Sequence, residues 1–258
     1  MFSAASMSKN TIRCDTVTSQ THGNVVVIGN GPSVLEYRLG SVIDQFAEVV
    51  RFNEYQLQGF ETHVGSRVTL WVTSAGHCAE LLSAYPERVS PVLVAIPYRR
   101  SATCTYQALR HTVARRLSPQ QLQRVSFVKE SIARRLMVQH AFNGTAPSSG
   151  LTAIWHLLQI YHTVYLHGFD FFTQMGMRSM HYFSDDRYGK ALHKGGLEKQ
   201  IIESLLKAGR VQFVAHCNTG NLSNSPITAN RTIAISHEAD LRINRSAYLW
   251  SSRWNCVP

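Results

Sequence analysis

Nowhere in the 258 residues does the chain approach the ~18 consecutive apolar residues that a membrane-spanning helix needs. The opening stretch, residues 1–23, is rich in Ser and Thr and has no apolar centre, so it does not read as a secretory signal. A flexible lead before one soluble domain, residues 24–258, is the expectation. Cysteine is sparse: Cys14, Cys78, Cys104, Cys217 and Cys256 show no Cys-x-x-Cys spacing, which argues against a zinc site and fits a reducing compartment. Acids are also few, 16 Asp plus Glu against 26 Lys plus Arg, for a net charge of +10 and an isoelectric point near 9.6. That balance favours anionic partners such as nucleotides or an acidic membrane surface. The cations fall in pairs, Arg99/Arg100, Arg115/Arg116 and Arg134/Arg135, without interleaved aromatics, so a solvated basic surface is expected and a nucleic-acid partner is not. No internal repeat is present.

The chain does contain enough apolar residues, 44%, for a large core. Asn24–Ile28 (NVVVI) is a short β-branched run followed by GNGPS, the pattern of a buried parallel strand, a tight loop and a helix. Val34 stands where a dinucleotide fingerprint would need its last glycine, so that reading is weak. Strands are expected again in Glu48–Gln56, Arg67–Ser74, Pro91–Pro97, Thr163–Phe172 and Val211–His216, with helical or irregular stretches between. A basic helix is expected from Thr105 until Pro119, then a short helix and strand up to Ile132. LTAIWHLLQIY (Leu151–Tyr161) has helical spacing of apolar residues, and GGLEKQIIESLLKAG is a second helix with Gly209 as its stop. This alternation predicts an α/β layered fold with a mainly parallel sheet.

Ligands of such sheets sit at the carboxyl ends of the strands. Asn30 and Gly31 after the first strand, Asn53 after the second and Gly168 after the strand at Thr163–Phe172 are therefore candidate binding positions. Ser148, Ser149 and Gly150 open a helix, where free N–H groups and the helix dipole favour an anion; capping by a serine hydroxyl is the competing explanation. Farther on, His181, His193 and Glu198 flank the start of another helix, a histidine and a carboxylate in the pattern H-x4-E. Such a pair occurs by chance in many chains and carries no chemistry without a pocket. His156 and His162 read as packed or surface residues, and Phe169, Phe171 and Phe172 as core or pocket wall.

Four stretches, in order, resemble the motifs of the animal-type sialyltransferases. The large motif resembles VVVIGNGPSVLEYRLGSVIDQFAEVVRFNEYQLQGFETHVGSRVT, and the small motif resembles APSSGLTAIWHLLQIYHTVYLHGF. The third resembles His181-Tyr182, and the very small motif resembles His193-x4-Glu198. The resemblance covers roughly Val25 to Gly209, though the cysteines that join the large and small motifs in animal members are absent. It implies a single Rossmann-like domain with the variant GT-A glycosyltransferase fold. It also implies inverting, metal-independent transfer of a 2-keto sugar acid from a CMP-linked donor to a hydroxyl of a glycan or glycolipid, with no cofactor. By this resemblance Asn30, Gly31, Asn53, Ser148, Ser149, Gly150, Gly168 and Tyr182 contact the donor. His193 takes the acceptor proton, His181 serves the leaving phosphate, and Glu198 orients His193 or caps its own turn. CMP-Kdo is the alternative donor, for a transferase acting on a lipid-linked or lipopolysaccharide acceptor. A catalytically silent CMP- or glycan-binding relative is the alternative outside enzymes. A cytoplasmic or peripheral location on an anionic membrane, in a bacterial or viral setting, is expected, or else a soluble form of a Golgi-type enzyme.

Overall fold

The computed structural model describes residues 23–98, 105–142, 145–171, 181–184 and 195–214. His193, most of the lead and the tail lie outside these residues. In chain order the elements are β1 (Val25–Ile28), a 3-10 turn (Pro32–Glu36), α1 (Gly40–Ile43), β2 (Glu48–Phe52), α2 (Glu61–Val64), β3 (Leu70–Ser74), α3 (Cys78–Ala84) and β4 (Val92–Ala95). There follow α4 (Tyr106–Arg115), α5 (Pro119–Gln123), β5 (Val125–Phe127), α6 (Glu130–Gln139), α7 (Ser149–Leu157), β6 (Val164–His167), α8 (Gly195–Lys207) and β7 (Val211–Phe213).

The seven strands form one sheet in the order β5-β4-β3-β2-β1-β6-β7, and every neighbouring pair is parallel. β1 is central because its residues are apolar on both faces: Val25 to Ile28 are all buried, each contributing roughly 1.5–3 kcal/mol. Alternation along the strand sends Val25 and Val27 into one core and Val26 and Ile28 into the other. The larger core lies under α3, α4, α6, α7 and α8. The smaller lies under the 3-10 turn, α1 and α2, and takes in Tyr182. The order reverses at β1: β2 lies on one side and β6 on the other, so a crevice opens between the loops that follow β1 and β6.

Much of the stretch that resembles the large motif serves as scaffold. Arg51 is fully buried, and its guanidinium donates to the carbonyls of Val64, Gly65 and Arg67. Burial lowers its pKa to about 10, against the favourable effect of Tyr182, Tyr55 and Asp44. Asp44 accepts from Ser66 N–H, Ser66 Oγ and Arg67 N–H. These bonds lock α1, β2 and the Gly65–Arg67 turn into one unit, the carbonyls solvating a cation that has lost water.

Two details go beyond the sequence reading. The basic helix ends at Arg115, short of Ser118, and the short helix expected next is α5, which Pro119 starts: Ser118 and Gln121 form a capping box with proline in the first turn. Proline lacks the N–H that a helix interior needs, but the first turn leaves that group unused. The second concerns residues 133–139, which periodicity left unassigned and which belong to α6. Only Ala133 and Leu136 of that helix are buried, so tertiary packing rather than a strong apolar stripe selects it.

Candidate active site at the carboxyl edge of the sheet

The loop after β1 is held by the protein's own chain. Gly29 N–H donates to the His167 carbonyl at 2.7 Å and Gly31 N–H to the Gly168 carbonyl at 3.1 Å. A Cβ on Gly29 would lie 2.2 Å from the Gly168 oxygen, and one on Gly31 would lie 2.3 Å from Asp170 Oδ2. Gly168 itself has φ +73°. The Asp170 carboxylate accepts the Ser33 N–H at 3.1 Å, in the first turn of Pro32–Glu36. Gly31, expected to meet the donor, thus makes room for a carboxylate of the same chain.

Asn30 and Asn53 lie close together at the ends of β1 and β2. Asn30 Nδ2 donates to the Phe52 carbonyl at 3.1 Å. Asn53 has φ 42°, its N–H bonds to the Val72 carbonyl, and its Oδ1 accepts Ser74 N–H at 3.0 Å. Each amide uses one end to fix the loop; among the described residues Oδ1 of Asn30 and Nδ2 of Asn53 make no hydrogen bond. The pair His181-Tyr182 is brought to this edge by Tyr182 N–H, which donates to the Asn30 carbonyl at 3.0 Å. Tyr182 is 7% exposed; its hydroxyl donates to the Gln56 carbonyl and accepts from Gln56 N–H, and its ring meets Phe60 edge-on. Its side chain is a pin between the third and large motif stretches. Burial raises its phenol pKa, opposed by the Gln56 hydrogen bond and by Arg51 and Arg88. His181 is half-buried and stacks on Phe183, ring centroids 5.2 Å apart at 13°.

At the start of α7, Ser148 is the N-cap: its Oγ accepts Leu151 N–H at 3.1 Å. Glu198, on α8, is 3% exposed. Its carboxylate accepts Ser148 N–H at 2.7 Å and Ser148 O–H at 2.6 Å. Capping, the competing explanation for Ser148, is what its hydroxyl does. Glu198, expected to serve His193 or its own helix, reaches across to the first turn of α7. A buried carboxylate needs such donors, and two N-terminal turns supply positive potential for it. Gly150 packs on the edge of Phe169, whose Cε1 would lie 3.1 Å from an added Cβ. Phe169 in turn meets Phe52 edge-on at 6.0 Å.

Beside Phe169 lies a cavity of about 240 Å³ lined by Ser33, Tyr37, Leu166, His167, Gly168, Phe169, Asp170 and Phe213. It occupies the crevice between the loops after β1 and β6, where the strand order reverses. His167 is 3% exposed, and its Nε2 has no hydrogen-bond partner. Burial lowers its pKa to about 4, against the pull of the His63 and Val34 carbonyls, with Arg51 and His63 adding to the lowering. The ring is therefore neutral at pH 7. Ser33 and His167 lie inside the motif stretches without having been singled out, and Asp170 lies just past the small one. An acid two positions past a glycine at a strand's carboxyl end was the available signal.

Asn30, Gly31, Asn53, Gly168, Tyr182, Ser148, Ser149, Gly150, His181 and Glu198 all lie along this edge or anchor it, while His193 falls outside the described residues. The profile of glycosyltransferase family 29 (sialyltransferase) matches residues 4–210. Among curated relatives, the lactosylceramide alpha-2,3-sialyltransferase of Rattus norvegicus is 26% identical over 215 residues, covering 72% of this chain and 55% of that protein. The CMP-N-acetylneuraminate-beta-1,4-galactoside alpha-2,3-sialyltransferase of Homo sapiens is 44% identical over 48 residues, 19% of this chain and 13% of that one. This chain thus spans from 13% to 55% of the length of these relatives. A mammalian sialyltransferase crystal structure superposes with TM-score 0.47 at 20% identity, over 74% of this chain and 68% of the other. The sialyltransferase CstII from Campylobacter jejuni in complex with cytidine-5'-monophosphate gives 0.46 at 13% identity, over 74% and 78%. The α/β fold rests on the parallel sheet itself, not on these superpositions. With a family profile that takes in six of the seven strands and the anchoring contacts between them, the chain belongs to glycosyltransferase family 29, the sialyltransferases.

Proposed function

We propose that this chain transfers sialic acid from its CMP-linked donor to a hydroxyl of a glycan or glycolipid, with inversion and without a metal. The observation that carries the reading is the Tyr182-to-Asn30 hydrogen bond. It seats His181 at the carboxyl edge of β1, in a family member whose α7 opens at the same edge. In this reading the N–H groups of Ser149 and Gly150, with the helix dipole, meet the negative end of the donor. Asn30 Oδ1 and Nδ2 of Asn53 hold the nucleotide. His181 donates to the leaving phosphate, and His193 accepts the acceptor's proton; an imidazole with an ordinary pKa near 6.5 suits that task at neutral pH. Glu198 positions the α7 turn through Ser148.

Sialic acid rather than Kdo is favoured because the relatives with printed activities are sialyltransferases, one of them acting on lactosylceramide. A glycolipid acceptor brings the protein to a membrane. Exposed Arg115, Lys129, Arg134 and Arg135, in a stretch from 105 to 142 whose sole acid is Glu130, supply a basic face for anionic lipid.

The test is release of CMP from CMP-Neu5Ac and from CMP-Kdo, each with EDTA, using His193→Ala as control. Release from CMP-Neu5Ac that persists in EDTA and falls about 10²–10⁴-fold in the variant is expected. Release from CMP-Kdo alone would assign the other donor. CMP binding without turnover of either donor, acceptors supplied, would make the chain a silent relative.

A further inference from the structure

Arg88 lies in the loop between α3 and β4, outside the four motif-like stretches. Its charged side chain is only 14% exposed, so other groups must replace the water it has lost. The neighbouring acid does little of this: Glu87 Oε1 is 4.0 Å from Nε on a side chain 67% exposed, a pairing worth little at a wet surface. Two carbonyls and three rings do more. Nη2 donates to the Tyr55 carbonyl at 2.8 Å and Nη1 to the Asn53 carbonyl at 3.3 Å. The guanidinium carbon lies over the rings of Tyr85, Tyr55 and Trp71, at 3.7, 4.0 and 5.1 Å from their centroids, where a ring face attracts a cation. The backbone of Arg88 is held too: its N–H donates to the Tyr85 carbonyl, and its own carbonyl accepts from Arg124.

What this cation holds is the turn after β2. Asn53 has φ 42°, a left-handed conformation that a residue with a Cβ keeps where its surroundings fix it. Trp71 Nε1 donates to the Asn53 carbonyl at 2.8 Å, and Asn53 Oδ1 accepts Ser74 N–H at 3.0 Å. Those two bonds attach Asn53 to β3. Arg88 adds Tyr55, and so fixes two carbonyls two positions apart from one planar fork, which an ammonium group cannot do. The next residue, Gln56, is where the Tyr182 hydroxyl is bound. One turn therefore aims the Asn53 amide and seats Tyr182.

We propose that Arg88 is a positioning residue for donor binding: its grip on the Asn53 and Tyr55 carbonyls holds Asn53 in the left-handed conformation that presents its amide to the nucleotide. This rests on the reading given above, in which Asn53 meets the CMP-linked donor. Arg88 acts through Asn53. A clamp with a purely structural role would change stability and leave the affinity of the folded chain as it was, whereas a positioning clamp changes affinity, and only while Asn53 is present.

The experiment is calorimetric titration of the whole chain with CMP, for wild type, Arg88→Lys, Asn53→Ala and the double variant, well below the melting temperature of each. Arg88→Lys keeps the charge and loses the fork. It is expected to weaken CMP about 10-fold, the range of one hydrogen bond to the ligand, and Asn53→Ala about as much. Because both changes remove the same contact, the double variant should bind within ~3-fold of Asn53→Ala alone, rather than ~100-fold below wild type. Wild-type affinity in folded Arg88→Lys, or losses that multiply in the double variant, would overturn the proposal. Should Arg88→Lys fold poorly, nuclear magnetic resonance of the wild-type chain decides alone. Linkage is reciprocal, so saturating CMP should slow exchange of the Arg88 guanidinium protons by about the same 10-fold, and unchanged exchange overturns the proposal. Failure of wild type to bind CMP, or full affinity in Asn53→Ala, would overturn the donor reading, and this proposal with it, and is a distinct result.

Discussion

At residues 29–33 the chain leaves β1 through two glycines and turns into Pro32–Glu36; at residues 148–150 it enters α7 through two serines and a glycine. Both turns lie on the same sheet edge, both start helical structure, and both hold a carboxylate from elsewhere in the chain. Asp170 meets Ser33 N–H at the first, and Glu198 meets Ser148 N–H and O–H at the second. The difference lies in what closes each turn. At the first, the β6 loop presses directly against both glycines. At the second, the carboxylate grips the N-cap residue, and half-buried Ser149 and Gly150 follow it. Glycine in one turn serves packing of the chain against itself. In the other it lets the edge of the Phe169 ring pack beside a helix start.

Substituting the two kinds of glycine should separate these roles. Gly29→Ala places a methyl 2.2 Å from a backbone oxygen and should destabilise the fold by about 3 kcal/mol, at the upper end of overpacking costs; chemical denaturation measures it. A change below ~1 kcal/mol would mean that the β1 and β6 loops part easily. A comparable effect is expected from pH. His167 is held at about 4 against an ordinary 6.5, so between these values the unfolded chain binds the additional proton. Stability is therefore undiminished above pH 6.5 and falls as pH drops toward 4, by roughly 3 kcal/mol for this group. Burial lowers His140 and His156 as well, with Lys129 adding to the latter, and they act in the same direction. His167→Gln should flatten the acid limb of the stability curve, and an unchanged limb would exclude His167 as its source.

Glu198→Ala leaves Ser148 N–H buried without its acceptor and should cost about 1–3 kcal/mol. A near-neutral result would show that the N-cap bond to Leu151 alone holds the turn. The smallest effect on stability is expected for Gly150→Ala, less than about 1 kcal/mol, because the neighbour is the edge of a Phe169 ring at 3.1 Å that can shift. On the donor reading this variant should nonetheless weaken CMP binding about 10-fold by titration. Equal losses of stability in Gly29→Ala and Gly150→Ala would erase the contrast between the two turns.

The layered fold was legible because β1, β2, β3, β4 and β6 are short runs rich in β-branched residues, bounded by Gly, Asn, Ser or Pro, a pattern local enough to read residue by residue. α6 was not, since two arginines interrupt its weak stripe and its stability comes from α7 beneath it. At the candidate site, motif order singled out Asn30, Asn53, Ser148–Gly150 and His181, all close to an element's end. Nothing local indicates that Tyr182 pins Gln56, that Ser148 answers Glu198 across 50 positions, or that Asp170 fills the space left by Gly31. Each is a polar pairing between segments distant in the chain, and periodicity carries no record of partners.

By itself, the sequence determined which segments are buried and alternately helical or extended, because hydrophobic pattern, proline and glycine act within a few residues. Family membership followed from the order of its motifs. Only the tertiary structure decided which turn is filled by Asp170 and which is gripped by Glu198. A buried charge is stable only where distant donors converge on it, and that convergence exists only once the strands have taken their places in the sheet.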